Sequence, residues 1–283
     1  MILESIELLF ICALFGFLTN WVACRNGFYS LHKTPPILIG WKELIGVFLI
    51  YIGTMLFLGP LIASILIDMA APSPPPIGLA TNLQLLLILF MVALLFLFCR
   101  SWPHSLVRLI WKDNSHPHAS PIFFDIGLGF LTWFISYPIV AAVGQLFDLF
   151  VYYLMGLENY EQVAVRYLKD TVASPSQLTM ALLTVLLLAP AIEEFLFRGC
   201  LQNFLKKHFG VKAGILLTSL AFALFHFSST QGMGNIPPIT SLFTFACFLG
   251  FVYERQRSLF ASIALHMTFN LASTLRILFA PES

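Results

Sequence analysis

Residues 181–200 read ALLTVLLLAPAIEEFLFRGC, a leucine-rich run that passes straight into two adjacent glutamates and an arginine. The apolar half has the character of the middle of a membrane span. An ionised side chain at the bilayer centre costs at least about 2.5 to 3.5 kcal/mol, so such groups face a partner or a wet cavity. The three charges therefore either mark where a helix leaves the membrane or serve a purpose inside it.

The rest of the chain decides for a membrane. Of 283 residues, 59% are hydrophobic and 10% charged, where a soluble domain carries about 25% charged residues. Apolar stretches near the roughly 20 residues needed to cross the hydrocarbon core recur along the whole length. They fall at about 6–24, 44–67, 82–99, 123–147, 177–205, 213–229, 236–253 and 258–279. The expected fold is an all-α polytopic membrane protein of about eight transmembrane helices, a single membrane domain over 1–283. The first stretch follows acidic Glu4 and Glu7 and is read as a retained span, not a signal peptide. Five cysteines, none in a CxxC pair, suggest neither a disulfide framework nor a zinc ribbon. A net charge of +1 without a basic run or Gly-rich phosphate loop gives no reason to expect nucleic acid as a partner.

Alternating the loops between two sides separates the fifteen Lys and Arg twelve to three. Arg25, Lys33, Lys42, Arg100, Arg108, Lys112, Arg198, Lys206, Lys207, Lys212, Arg255 and Arg257 share one side; Arg166, Lys169 and Arg276 take the other. By the positive-inside rule the twelve are cytoplasmic and both termini lie outside. Trp21, Trp41, Trp102 and Trp111 fall near the same ends, as interfacial anchors do. APSPPPIG at 71–78 reads as a stiff outer loop. The segment 148–176, with Asp148, Glu158, Glu161, Arg166, Lys169 and Asp170, reads as an amphipathic surface helix or a plain solvated connector.

On a helix Glu194 and Arg198 are four apart and can form an ion pair that lowers the cost of both. Glu193 points about 100° away and is left over. Pro190 removes a helical hydrogen bond and would free the carbonyl of Leu186. Among seven histidines, His32, His104, His116, His118 and His208 fall in loops or interfaces, with His116 and His118 a weak metal candidate. His226 and His266 lie inside spans, His226 one turn after Phe222 and His266 one turn before Asn270. Glu193 is 13 residues before Lys206, His226 is 14 after Lys212 and Asn270 is 13 after Arg257. At about 1.5 Å per residue each lies about 20 Å along its helix from a basic marker, so three helices bring polar groups to one level.

A carboxylate, two imidazoles and an amide without a nucleophilic Ser or Cys motif fit an activated water. In one scheme Glu193 takes a proton from water with His226 assisting, while His266 and Asn270 donate to the oxyanion of a tetrahedral intermediate. In the other, Glu193, His226 and His266 bind a divalent metal such as zinc with a position open to water. There is no single-helix HExxH.

These motifs, Glu193-Glu194-x-x-x-Arg198, Phe222-x-x-x-His226 and His266-x-x-x-Asn270, resemble those of the CPBP family of intramembrane proteases, also called the ABI or CAAX-protease-and-bacteriocin-processing family. The resemblance covers 178–278 and extends to the FRG ending at Gly199; the helices of 1–150 show nothing to match and are read as variable. It implies a fold similar to the type II CAAX prenyl endopeptidases and a cavity open to cytosol and membrane. It implies a water activated by Glu193 and His226, an oxyanion hole from His266 and Asn270, structural roles for Glu194 and Arg198, and no required cofactor. Older descriptions of the family as metalloproteases keep the metal scheme open. Substrates implied are peptides or lipidated proteins of CAAX or bacteriocin type, met in membrane lipid, and the setting expected is a prokaryotic plasma membrane. The readings from another class are a non-catalytic immunity or scaffold protein and a proton-coupled transporter. The outer halves of the last four spans are mostly Leu, Phe, Ala, Ser and Thr, which favours a pocket closed on one side over a transport path.

Overall fold

The computed structural model describes residues 2–31, 34–69, 77–115, 119–156 and 163–279. Among these residues the chain forms helices and no strand, with one isolated bridge between Lys112 and Ser258. The helices are α1 (Ile2–Arg25), α2 (Trp41–Ile52), α3 (Gly59–Met69), α4 (Ile77–Cys99), α5 (His104–Trp111) and α6 (Ile122–Met155). They continue as α7 (Val163–Thr171), α8 (Pro175–Leu183), α9 (Ala189–Glu194), α10 (Asn203–Leu224), α11 (Ile236–Gln256) and α12 (Leu259–Phe279). Wider π-helical turns join α2 to α3 at Gly53–Leu58, α8 to α9 at Thr184–Leu188 and α9 to α10 at Phe195–Gln202.

Six described runs are long and apolar enough to cross a membrane: Leu3–Arg25, Trp41–Leu66, Gly78–Cys99, Ile122–Leu154, Pro175–Leu224 and Gly232–Gln256. The chain is an integral membrane protein, and exposed Leu3, Phe10 and Phe17 on α1 show the apolar outer surface that lipid covers. The difference from eight has two sources. The run Pro175–Leu224 holds the two predicted spans 177–205 and 213–229 in one. The eighth predicted stretch is α12, whose His266, Asn270 and Arg276 dilute its hydropathy. The segment 148–176 divides: α6 continues through Asp148 to Met155, and α7 is helical with Leu168 and Thr171 buried. Glu158, Glu161, His32, Lys33, His116, His118 and residues 71–76 of the proline-rich loop lie outside the described residues.

The long fifth run is a hairpin. Gly210, at φ +81, adopts a left-handed conformation that residues with a Cβ rarely tolerate, and it reverses the chain inside α10. The arms then pack very closely, because a Cβ on Gly214 would sit 3.0 Å from the Lys206 backbone nitrogen. Further out, Phe197 on one arm meets Phe222 on the other at 5.2 Å between ring centroids. Around this hairpin one apolar core gathers Ile39, Val47, Met91, Trp102, Ile110, Phe195, Leu196, Phe197, Phe222 and Tyr253. A second core joins Phe245, Leu249 and Val252 of α11 to Ala261 and Leu265 of α12, against α6, which also packs on α1.

At the end of the bundle away from the charged dyad, five chain segments are knitted together by buried charge. Lys206 pairs with Glu254 and donates to Thr34, while Arg257 reaches Asp113 at 3.6 Å, Asn203 at 3.4 Å and the Pro35 carbonyl at 3.3 Å. Lys112 pairs with Asp125. Basic markers that the loop count assigns to one side thus meet at one end, but as buried ion pairs rather than solvated interface charges. Arg198 is different: it is fully buried at the dyad and does not belong in the count of loop charges.

Candidate active site

The site is built where helical geometry is least regular. Ahead of Pro190, the turn Thr184–Leu188 is π-helical, and Ala189 N–H bonds back to the Thr184 carbonyl, five residues away. In that register the donor for the Val185 carbonyl would be residue 190, a proline without N–H. The freed acceptor is therefore Val185 and not Leu186, because the π turn shifts the ladder by one. Asn270 of α12 supplies the missing donor, its amide lying 2.9 Å from Val185 O.

After this break α9 presents the two glutamates differently. Glu194 is fully buried and Arg198 Nη1 donates to its Oε1 at 3.0 Å, as the spacing predicts. Arg198 also donates through Nη2 to the Ala246 carbonyl of α11 at 3.2 Å, and its guanidinium lies over the Phe222 ring, 4.5 Å from the centroid. Glu193 keeps 15% of its side chain exposed, so it is the open member of the dyad. Its Oε2 lies 3.9 Å from His266 Nε2, and the other ring nitrogen of His266, Nδ1, is 2.8 Å from Glu194 Oε1.

Phe222 ties the histidines together, with ring centroids 4.8 Å from His226 and 5.8 Å from His266. His226 stands in the turn that follows α10, and its Nδ1 is 2.8 Å from the Phe222 carbonyl. A carbonyl only accepts, so Nδ1 carries the proton and Nε2 presents a lone pair. The loop beyond is fixed by buried Asn235, which accepts from Ser228 N–H and donates to the Ser228 and Gly232 carbonyls. Glu193, Glu194, Arg198, His266 and Phe222 thus come together directly. His226 joins through Phe222 and Asn270 through Val185; among the described residues neither hydrogen-bonds Glu193.

One neighbour carried no motif in the sequence. Tyr51 of α2 packs against Phe225, at 6.1 Å, and lies within electrostatic reach of Glu193. A phenol inside an apolar span was the available signal, although tyrosine is too common near interfaces to stand out alone. Among the described residues, no three His, Cys, Asp or Glu side chains converge closely enough to hold a metal ion. Glu193, His226 and His266 as arranged here therefore do not form the three-ligand set the metal scheme needs.

Within this helical membrane bundle a partly exposed carboxylate thus stands beside His266 of α12, with His226 joined to the group through Phe222. Residues 175–272 match the family described as Type II CAAX prenyl endopeptidase Rce1-like. An uncharacterized 24.3 kDa protein of Escherichia coli is 30% identical over 181 residues, covering 58% of this chain and 79% of that protein. The chain belongs to the Rce1-like family. No solved structure matches.

Proposed function

We propose that this protein is an intramembrane endopeptidase that hydrolyses a peptide bond with water activated by Glu193. The observation that carries the reading is the asymmetry of the dyad: Glu194 is sealed against Arg198, while Glu193 stays partly exposed beside His266 Nε2. Glu193 takes the water proton, with the His226 Nε2 lone pair oriented by its bond to Phe222 and available to assist. The water oxygen attacks the scissile carbonyl carbon. The negative charge that develops on the carbonyl oxygen is met by His266 and by the amide hydrogen of Asn270 that Val185 does not use. The proton then passes to the leaving amine, and Glu193 returns to its carboxylate. Membership of the Rce1-like family supports a peptide or prenylated protein as substrate, with a C-terminal lipidated segment of CAAX type or a bacteriocin-type peptide as the two candidates.

The catalytic core in this reading is 178–278, and the helices of 1–150 border it through Tyr51. The end that gathers Lys112, Lys206 and Arg257 faces the cytoplasm of a prokaryotic plasma membrane, with both termini outside.

The test offers purified protein a panel of lipidated and unlipidated peptides and compares wild type with Glu193→Ala, with and without chelator. Cleavage by wild type alone, unaffected by chelator, supports the reading. Equal behaviour of the two proteins sinks it in favour of an immunity, scaffold or transport protein. Loss with chelator and recovery with zinc replaces the water mechanism with the metal one.

A further inference from the structure

The Glu194–Arg198 pair is built poorly for a purely structural role. A guanidinium and a carboxylate pair best through two parallel hydrogen bonds. Here one prong forms, between Nη1 and Oε1 at 3.0 Å. Glu194 Oε2 and Arg198 Nε are both buried and have no hydrogen-bond partner among the described residues. Buried polar atoms are rarely left so. Meanwhile Oε1 accepts twice, from Arg198 and from His266 Nδ1 at 2.8 Å. Oε1 is thus the atom that joins the arginine to the histidine.

We infer that Glu194 is a positioning residue for His266, holding its ring as the Nδ1–H form so that Nε2 faces Glu193. A buried carboxylate paired with arginine accepts and does not donate, so the ring nitrogen against it must carry the hydrogen. With that single ring proton, Nε2 has a lone pair. It cannot then donate to an oxyanion until the ring gains a second proton. The source stands across the gap at Glu193 Oε2, 3.9 Å away. This inference rests on the protease reading and refines it. As water attacks, its O–H bond breaks, the oxygen bonds to the substrate carbon, and the proton reaches Glu193 and then His266 Nε2. The imidazolium so formed is held by Glu194 on one side and donates to the oxyanion on the other. When the intermediate collapses, the proton leaves Nε2 for the departing amine nitrogen, and both groups regain their starting states. His266 becomes an oxyanion donor only as the oxyanion appears, which is the form of catalysis that favours the transition state over bound substrate.

Because Glu194→Ala alone strands a buried guanidinium, the test uses pairs. Glu194→Leu with Arg198→Met removes both charges, and Glu194→Gln with Arg198→Met keeps a carbonyl acceptor at the same place. The ring nitrogens of His266 are read by 15N NMR in detergent, with His266→Gln to assign the signal, and kcat and KM are measured separately. The wild type is expected to show a protonated Nδ1. The Leu/Met pair should shift the proton toward Nε2 and lower kcat about 100-fold with KM little changed, and the Gln/Met pair should restore the wild-type ring signature and most of kcat. A Leu/Met protein with wild-type ring signals and wild-type kcat overturns the inference and returns the pair to a structural role. An unprotonated Nδ1 in the wild type overturns it equally. The NMR arm decides without any substrate, so a protein that cleaves nothing defeats the protease reading alone.

Discussion

Asn270 on α12 holds the Val185 carbonyl at 2.9 Å, across 85 residues of sequence, in place of the N–H that Pro190 lacks. A side chain expected to face substrate is thus also the patch on a deliberate gap in a neighbouring helix. The gap and the patch are two halves of one feature, and they can be separated by mutation.

Asn270→Ala should leave a half-buried carbonyl unpaired and lower stability, with the about 1–3 kcal/mol of a fully buried orphan as the ceiling. Pro190→Ala restores an N–H at the position the π register needs. The double variant should recover part of the lost thermal midpoint without recovering activity. A midpoint no higher in the double variant than in Asn270→Ala would mean that the proline is not the reason for the contact.

Glu193→Gln keeps size and polarity at a partly exposed position outside the Glu194–Arg198 pair, so its folding stability should stay within about 0.5 kcal/mol of wild type. Loss of the base should lower kcat about 100- to 10,000-fold. Thermal midpoint and cleavage rate measured on the same preparation separate the two effects.

Lys206→Met removes the ammonium from buried Glu254 but leaves it Arg257 at 3.7 Å and the Thr34 hydroxyl, so the loss should fall below the about 3–5 kcal/mol that stranding one partner of a buried pair costs. Adding Glu254→Leu should recover most of it. Since this end lies away from the dyad, cleavage per folded molecule should be unchanged, and a fall in kcat in the rescued double variant would refute the separation.

Burial and the neighbouring Cys24 thiol push the Tyr29 phenol up to about 12, and its hydroxyl donates to the Asn20 side chain. A raised folded value means that this contribution is complete below the ordinary value near 10. It is lost as pH rises from there toward about 12. The thermal midpoint difference between wild type and Tyr29→Phe should be constant from neutral pH up to about 9 and shrink above 10. A difference that grows with alkalinity would reverse the sign and exclude this linkage.

Much of the architecture was legible because apolar runs of membrane length leave few alternatives to helices. The hairpin at Gly210 was legible only as two separate spans, since a positive φ at one glycine leaves no trace in hydropathy. The i,i+4 spacing of Glu194 and Arg198 gave their pairing correctly. It could not give the second partner of Glu194, because His266 is 72 residues away and reaches it only through the packing of α12 on α9. The carbonyl freed by Pro190 was misplaced by one residue because sequence does not announce a π turn. The loop count takes Lys112, Lys206 and Arg257 only as markers of one side, although Asp113, Asp125 and Glu254 stand in the same sequence as partners. Tyr51 carries no signal of its own in the sequence, since it stands in an N-terminal helix without a motif and meets Phe225 only through packing.

Gly210 works as the pivot of a caliper. Glu193 stands 17 residues before it and His226 stands 16 after it, so the two tips lie at nearly equal counts from the pivot, beyond the level at which Phe197 and Phe222 meet. Adding or deleting one residue on either arm moves that tip by about 1.5 Å and swings it by about 100°. A change of length in one arm therefore needs a matching change in the other if Phe197 and Phe222 are to keep their contact.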